Sequence, residues 1–99
     1  MSDVLVFEFS TPEAVHLYEQ VNKLIGVDPA AGTGDWPEGM ISHLAGGEGE
    51  SLLVVEEWEN RGAQEQFMRS RLEPAFGEAH VPTPARVTWL PTVGKLRRD

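Results

Sequence analysis

Between Ser51 and Phe67 the spacing of apolar residues changes period. Leu52 to Trp58 is a run of β-branched, aliphatic and aromatic residues broken by Glu56 and Glu57, which predicts a strand. Asn60 then offers a helix N-cap, and Ala63, Phe67 and Arg71 recur at helical spacing until Pro74 interrupts the helix. The N-terminus repeats this order. Val4 to Phe9 predicts a strand apolar on both faces until Glu8, followed by a helix carrying Ala14, Tyr18, Val21 and Ile25 in one stripe, widened by Leu17 and Leu24. Ser10 and Glu13 have capping-box spacing, with Thr11 before Pro12 as an alternative start, and Gly26 is a C-cap.

The remaining segments complete the order. Residues 27–39 hold three glycines and two prolines and read as a long loop, with Trp36 as either a plug for the core edge or a lid over a pocket. Met40 to Ala45 is a strand, residues 46–50 a Gly-rich hairpin turn, and Leu52 to Trp58 its partner. A short turn from Pro74 to Ala79 and a linker from His80 to Pro84 lead to a last strand, Arg86 to Leu90, which contains Trp89 and is ended by Pro91. The predicted architecture is α+β, in the order β-α-β-β-α-β.

At 99 residues the chain reads as one domain, residues 1–99, with a thin margin for burying a core. It has no cysteine, which leaves no disulfide, thiolate metal site or Cys nucleophile and fits a reducing cytoplasm. No apolar run is long enough to span a bilayer, and no signal peptide is visible. The net charge of −8 arises in residues 1–50, where nine acids face Lys23 alone; residues 51–99 carry seven acids and seven bases. Such an acidic body repels phosphate backbones and anionic lipid, so neither nucleic acid nor a membrane is an expected partner. Lys95, Arg97 and Arg98 form only a short basic tail.

The two strand–helix units are similar to those of the dimeric α+β barrel superfamily. The carrying residues are Val4–Phe9, Ser10-Thr-Pro-Glu13, the hairpin Met40–Trp58, the Trp58-Glu-Asn60 corner leading to Phe67, and Leu72-Glu-Pro-Ala-Phe76. Members include antibiotic-biosynthesis-type and haem-degrading monooxygenases, muconolactone-isomerase-like proteins and stress-responsive barrels. The resemblance implies a ferredoxin-like, antiparallel fold whose sheet closes a barrel with that of a second copy. It also implies a pocket between sheet and helices for a small apolar or aromatic metabolite, serving a cofactor-free monooxygenase, an isomerase or cyclase, or a barrel that binds without turnover. The strands agree with a dimer, because Leu53 and Val55 share one face while Leu52, Val54 and Trp58 share the other, and this chain's helices can cover only one.

His43, alone among the three histidines in lying mid-strand, is the candidate general base, or else a structural or interfacial residue. It has the strand parity of Ile41 and Ala45. Glu56 is the second catalytic candidate, with Leu52, Val54 and Trp58 on its side of the strand; Glu56 and Glu8 both need partners if buried, with Arg71 and Arg86 at hand, or else are strand-end charges in solvent or in an ion pair at the dimer seam. Tyr18 and Asn22, four apart on one helix side, join Trp58, Phe67, Arg71 and Trp89 as candidate pocket residues. His16, His43 and His80 are too scattered for a metal site. Haem is not expected, because His16 and Asn22 are six apart and on different helix faces, and no cofactor is assigned.

Overall fold

The computed structural model describes residues 1–96 and Arg98; Arg97 of the basic tail lies outside the described residues. Strand β1 (Asp3–Ser10) puts Leu5, Phe7 and Phe9 on one side and Val4, Val6 and Glu8 on the other. Helix α1 (Ala14–Ile25) follows, but the capping box does not form. Ser10 is held in the sheet opposite Ser51, and the Thr11 N–H donates to the Glu50 carbonyl at 2.9 Å. Sheet pairing therefore claims the residues that would have capped the helix. Glu13 instead takes the N-cap position in a left-handed conformation, with φ at 59° and no side-chain bond. Gly26 closes the helix as predicted, with φ at 80°. Leu24 faces solvent at 45% exposure, so the buried stripe is narrower than the sequence suggests.

The segment read as one loop contains a small hairpin, β2 (Val27–Asp28) with β3 (Thr33–Gly34). Asp28 Oδ1 closes it by accepting from the N–H groups of Ala30 and Ala31 at 3.1 and 3.2 Å. Strand β4 (Met40–Glu48) is longer than predicted. Gly46 and Gly47 pair with Leu53 and Leu52 of β5 (Ser51–Trp58) rather than forming the turn, which shrinks to Gly49 and Glu50. Gly47 permits a close approach of α1, since a Cβ there would lie 2.7 Å from Val15 Cγ2.

Helix α2 (Arg61–Phe67) is capped by Asn60 as expected, its side chain accepting from the Ala63 N–H at 2.8 Å. Pro74 does not break the helix where it stands. A π-helical turn, Met68–Leu72, runs directly into α3 (Glu73–Ala79), which carries Pro74 in its first turn. Widening the helix just before the proline accommodates its missing N–H and its ring without an end to the rod. Strand β6 (Arg86–Pro91) completes the sheet, whose order is β4-β5-β1-β6 with every neighbouring pair antiparallel.

The helices lie on one side of this sheet. Leu5 and Trp58 are fully buried there, among Phe7, Leu52, Val54, Phe67, Leu72 and Ala75. On the other side Val6 stands opposite Val55 and Val55 opposite Leu44, with Val4 opposite Leu90. Leu44 is 71%, Leu90 57% and Leu53 44% exposed on this bare face. Among the described residues no helix is long and apolar enough to cross a membrane.

Candidate functional site

A β-bulge aims the candidate base. The register of β4 against β5 shifts between Met40 and Ser42. The extra residue breaks the alternation, so His43 faces the helices with Met40 and Ala45, while Ile41 turns outwards. Parity alone had grouped His43 with Ile41.

On the helix side His43 is the middle of a hydrogen-bonded chain. Its Nδ1 is 2.8 Å from Glu56 Oε2, and its Nε2 is 2.6 Å from the Tyr18 hydroxyl. Trp58 Nε1–H donates to the other oxygen of Glu56 at 3.0 Å. These partners fix the direction of every bond. A carboxylate accepts on both oxygens, so neutral His43 carries its proton on Nδ1, and its bare Nε2 receives the Tyr18 O–H. Glu56 is only 5% exposed and Trp58 fully buried, so the geometry is held from behind by packed groups. The Tyr18 ring also stacks on the imidazole at 5.9 Å between centroids, nearly parallel, while Trp36 tilts against the imidazole at 5.1 Å.

Burial pushes the Tyr18 phenol above its ordinary ionisation range; nearby Asn22 opposes the shift and the charge of Glu56 adds to it. Tyr18 therefore keeps its proton at neutral pH and acts as a donor. Asn22 follows it by one turn of α1 and is 7% exposed; its Nδ2 has no hydrogen-bond partner among the described residues.

A cavity of about 70 Å³ lies between sheet and helices. Phe7, Phe9, Leu52 and Val54 line it from the sheet, and Leu17, Val21 and Phe76 from the helices. The space exceeds what one water needs and falls below the volume of a typical ligand site. Its polar groups are few: Tyr18, Asn22, His43 and Glu56 cluster at one end, and Thr11 lies towards the other.

Of the residues singled out in the sequence, His43, Glu56, Tyr18, Asn22 and Phe67 line this cavity. Trp58 stands behind it, as the donor that fixes Glu56. Arg71 is elsewhere: its Nη2 donates to the carbonyls of Ile25 and Asp35 at 2.5 and 2.6 Å, its cation is 3.4 Å from the Asp35 carboxylate, and its guanidinium lies over the Phe67 ring. Trp89 borders a separate surface depression and receives the Arg61 guanidinium over its ring. Glu8 lies 3.8 Å from Arg86 on the bare face. His16 and His80 are exposed. The bulge hid Met40 from parity reasoning, and Phe7, Phe9 and Phe76 gave no signal beyond that of core residues.

No family model matches the sequence, and no curated protein matches it. Solved structures do match. A candidate antibiotic biosynthesis monooxygenase from Chloroflexus aurantiacus J-10-fl is similar with a TM-score of 0.66 at 7% identity, over 98% of each chain. A conserved protein from Methanosarcina mazei Go1 is similar at 0.68 and 16% identity, over 94% of each. A candidate antibiotic biosynthesis monooxygenase from Deinococcus radiodurans is similar at 0.61 and 16%, over 100% of this chain and 99% of that one. At such identities the likeness establishes the fold, which is the ferredoxin-like α+β fold these structures share.

Proposed function

We propose that this ferredoxin-like chain is a small enzyme needing no bound cofactor, a monooxygenase or an isomerase or cyclase, that acts on a small apolar or aromatic metabolite between sheet and helices. The observation that carries this reading is His43, bonded at once to buried Glu56 and to Tyr18 at the polar end of an apolar cavity. Glu56 holds the imidazole in the tautomer whose Nε2 is basic, and it would stabilise the imidazolium formed on protonation. Tyr18 links that nitrogen to the cavity: it can give its own proton to Nε2 as it takes one from the bound metabolite. Removing a proton from a bound metabolite raises its electron density, a step common to isomerisation and to direct reaction with O₂. The names of two similar structures, both candidate antibiotic biosynthesis monooxygenases, support the oxidative version.

The same reading makes the protein a homodimer. Leu44, Leu53 and Leu90 expose an apolar sheet face that one chain cannot cover, and a second copy of that face is its natural complement. Sedimentation at micromolar concentration should give twice the chain mass; a monomer there would remove the dimer from the reading. A chain without cysteines suits the cytoplasm as its compartment.

A screen of small aromatic and apolar metabolites tests the activity, with His43→Gln as the control. The expected result is a converted compound whose turnover drops by roughly 10²–10⁴-fold in the variant. Turnover that survives the substitution unchanged would show that His43 is not the base. A compound that binds without conversion, equally well in both proteins, would favour a ligand-binding barrel instead.

A further inference from the structure

The cavity behind His43 has a neighbour. An open groove of about 220 Å³ lies on the other side of Trp36, between the β2–β3 hairpin and β4, bordered by Pro29, Gly32 and Ser42. Trp36, Met40 and His43 line both spaces. The indole and the imidazole therefore form the partition between an inner apolar chamber and an outer groove.

How Trp36 is held bears on whether the partition can open. Its Nε1–H donates to the Thr33 carbonyl at 3.0 Å, within its own loop, so the indole is tied to the segment that carries it. That segment is bracketed by Gly26 and Gly39, both at positive φ. Arg71 fastens the segment to the body by gripping the carbonyls of Ile25 and Asp35 and lying beside the exposed Asp35 carboxylate. Backbone bonds from the Asp35 N–H to Gly26 and from the Glu59 N–H to Gly39 hold its two ends. Between those ends Val27 anchors the hairpin in the core, and residues 28–35 are exposed.

We propose that Trp36 is a displaceable door, and that the ligand of this site occupies the inner chamber and the outer groove together once the indole has moved. The proposal rests on the reading that the cavity takes a ligand, and it specifies which one. The inner chamber alone is small, whereas the joined space approaches the roughly 300 Å³ at which small-molecule sites begin. Its occupant is an elongated molecule with an apolar end among Phe7, Leu52 and Val54 and a polar end beside Ser42. Among the described residues the groove's lining holds no lysine or arginine, and the segment 27–39 that borders it carries Asp28, Asp35 and Glu38, so the polar end of the occupant does not carry negative charge.

The neutral fluorescent probe N-phenyl-1-naphthylamine tests this by binding alone, without reference to turnover. In the wild type the closed door limits both entry and affinity, so Trp36→Ala should bind the probe at least about tenfold faster and tighter. Arg71→Gln, which loosens the loop and removes a side chain that does not itself line the chamber, should shift the entry rate in the same direction. Val54→Phe, which fills the inner chamber, should abolish the gain when added to Trp36→Ala. Thermal unfolding of each variant shows that it is folded, and if the double variant is not, the two single variants decide. Unchanged entry rate and affinity in Trp36→Ala would overturn the proposal, as would probe binding in neither protein or binding indifferent to the filled chamber. An enzyme assay in which His43→Gln keeps full activity would sink the catalytic reading and leave the door standing.

Discussion

Glu56 and Glu57 are neighbours on one strand, nearly equally buried at 5% and 9% exposure, and they face opposite ways. Glu56 looks towards the helices, where His43 and Trp58 occupy its two oxygens and the next group outward is Tyr18 at a cavity. Glu57 looks towards the bare side of the sheet, where Ser2 donates to it at 2.6 Å and Lys95 reaches it at 3.1 Å. Ser2 is itself bonded to Thr92, so this carboxylate stitches the two ends of the chain to the sheet. Burial of an acid marks a place where something must compensate its charge. The compensating groups and the space behind them decide whether the place is suited to moving a proton or to fastening a chain end.

Exchanging carboxylate for amide at each position tests the contrast, and Glu56→Gln should give the larger effect. The carboxylate accepts from Trp58 on one oxygen and from His43 on the other. A glutamine has one carbonyl oxygen, so its NH₂ must face one of those two N–H groups, or else force His43 into the opposite tautomer, whose Nε2–H donates to the Tyr18 oxygen and leaves the Tyr18 proton without its acceptor. The expected stability loss is about 1–3 kcal/mol, from a buried donor left without a partner. Under the proposed function, turnover falls on the order of 100-fold or more, because the base loses its orientation. Denaturant unfolding and steady-state kinetics measure the two effects separately. Normal turnover in Glu56→Gln would put the chain of hydrogen bonds outside the chemistry.

The sequence made the order of strands and helices legible because each strand has a long apolar run and each helix a periodic stripe. It made His43 and Glu56 visible as oddities, a histidine and an acid within strands. It could not show that they meet, because their shared face depends on a bulge in β4, and bulges have no reliable sequence mark at a residue such as Ile41. Arg71 was legible as a cation near the helix end, yet its partners are two backbone carbonyls, which carry no sequence signal. The capping box at Ser10 failed for the converse reason: the local signal was present, and the long-range pairing of Ser10 with Ser51 overrode it.

The ionisation of Tyr18 sharpens the comparison at intermediate size. It is the only tyrosine in the chain, so its ultraviolet difference spectrum reports one group. Burial raises its pKa above 10.0, and the negative charge of Glu56 adds to the rise. The folded state thus holds a proton that the unfolded chain gives up. The resulting contribution to stability is complete below about pH 10 and is lost as pH climbs through the folded value. Glu56→Gln removes one of the raising causes and should move the Tyr18 transition to lower pH, whereas Glu57→Gln should leave it in place. Equal shifts in the two variants would mean that the phenol senses overall charge and not the group wired to it.

Glu57→Gln should have the smallest effect. The amide still accepts from Ser2, and Lys95 is about half exposed, so its pairing is largely screened by solvent. A stability loss of no more than about 1 kcal/mol is expected, shrinking further as added salt weakens the wild-type pair. Turnover should be unchanged, because the carboxylate lies across the sheet from the cavity and its bonds to Ser2 and Lys95 are separate from those of His43. Measured side by side, the two glutamine variants separate position from burial. If Glu57→Gln costs as much activity as Glu56→Gln, the sheet transmits both changes to the site, and the face an acid occupies no longer predicts its role here.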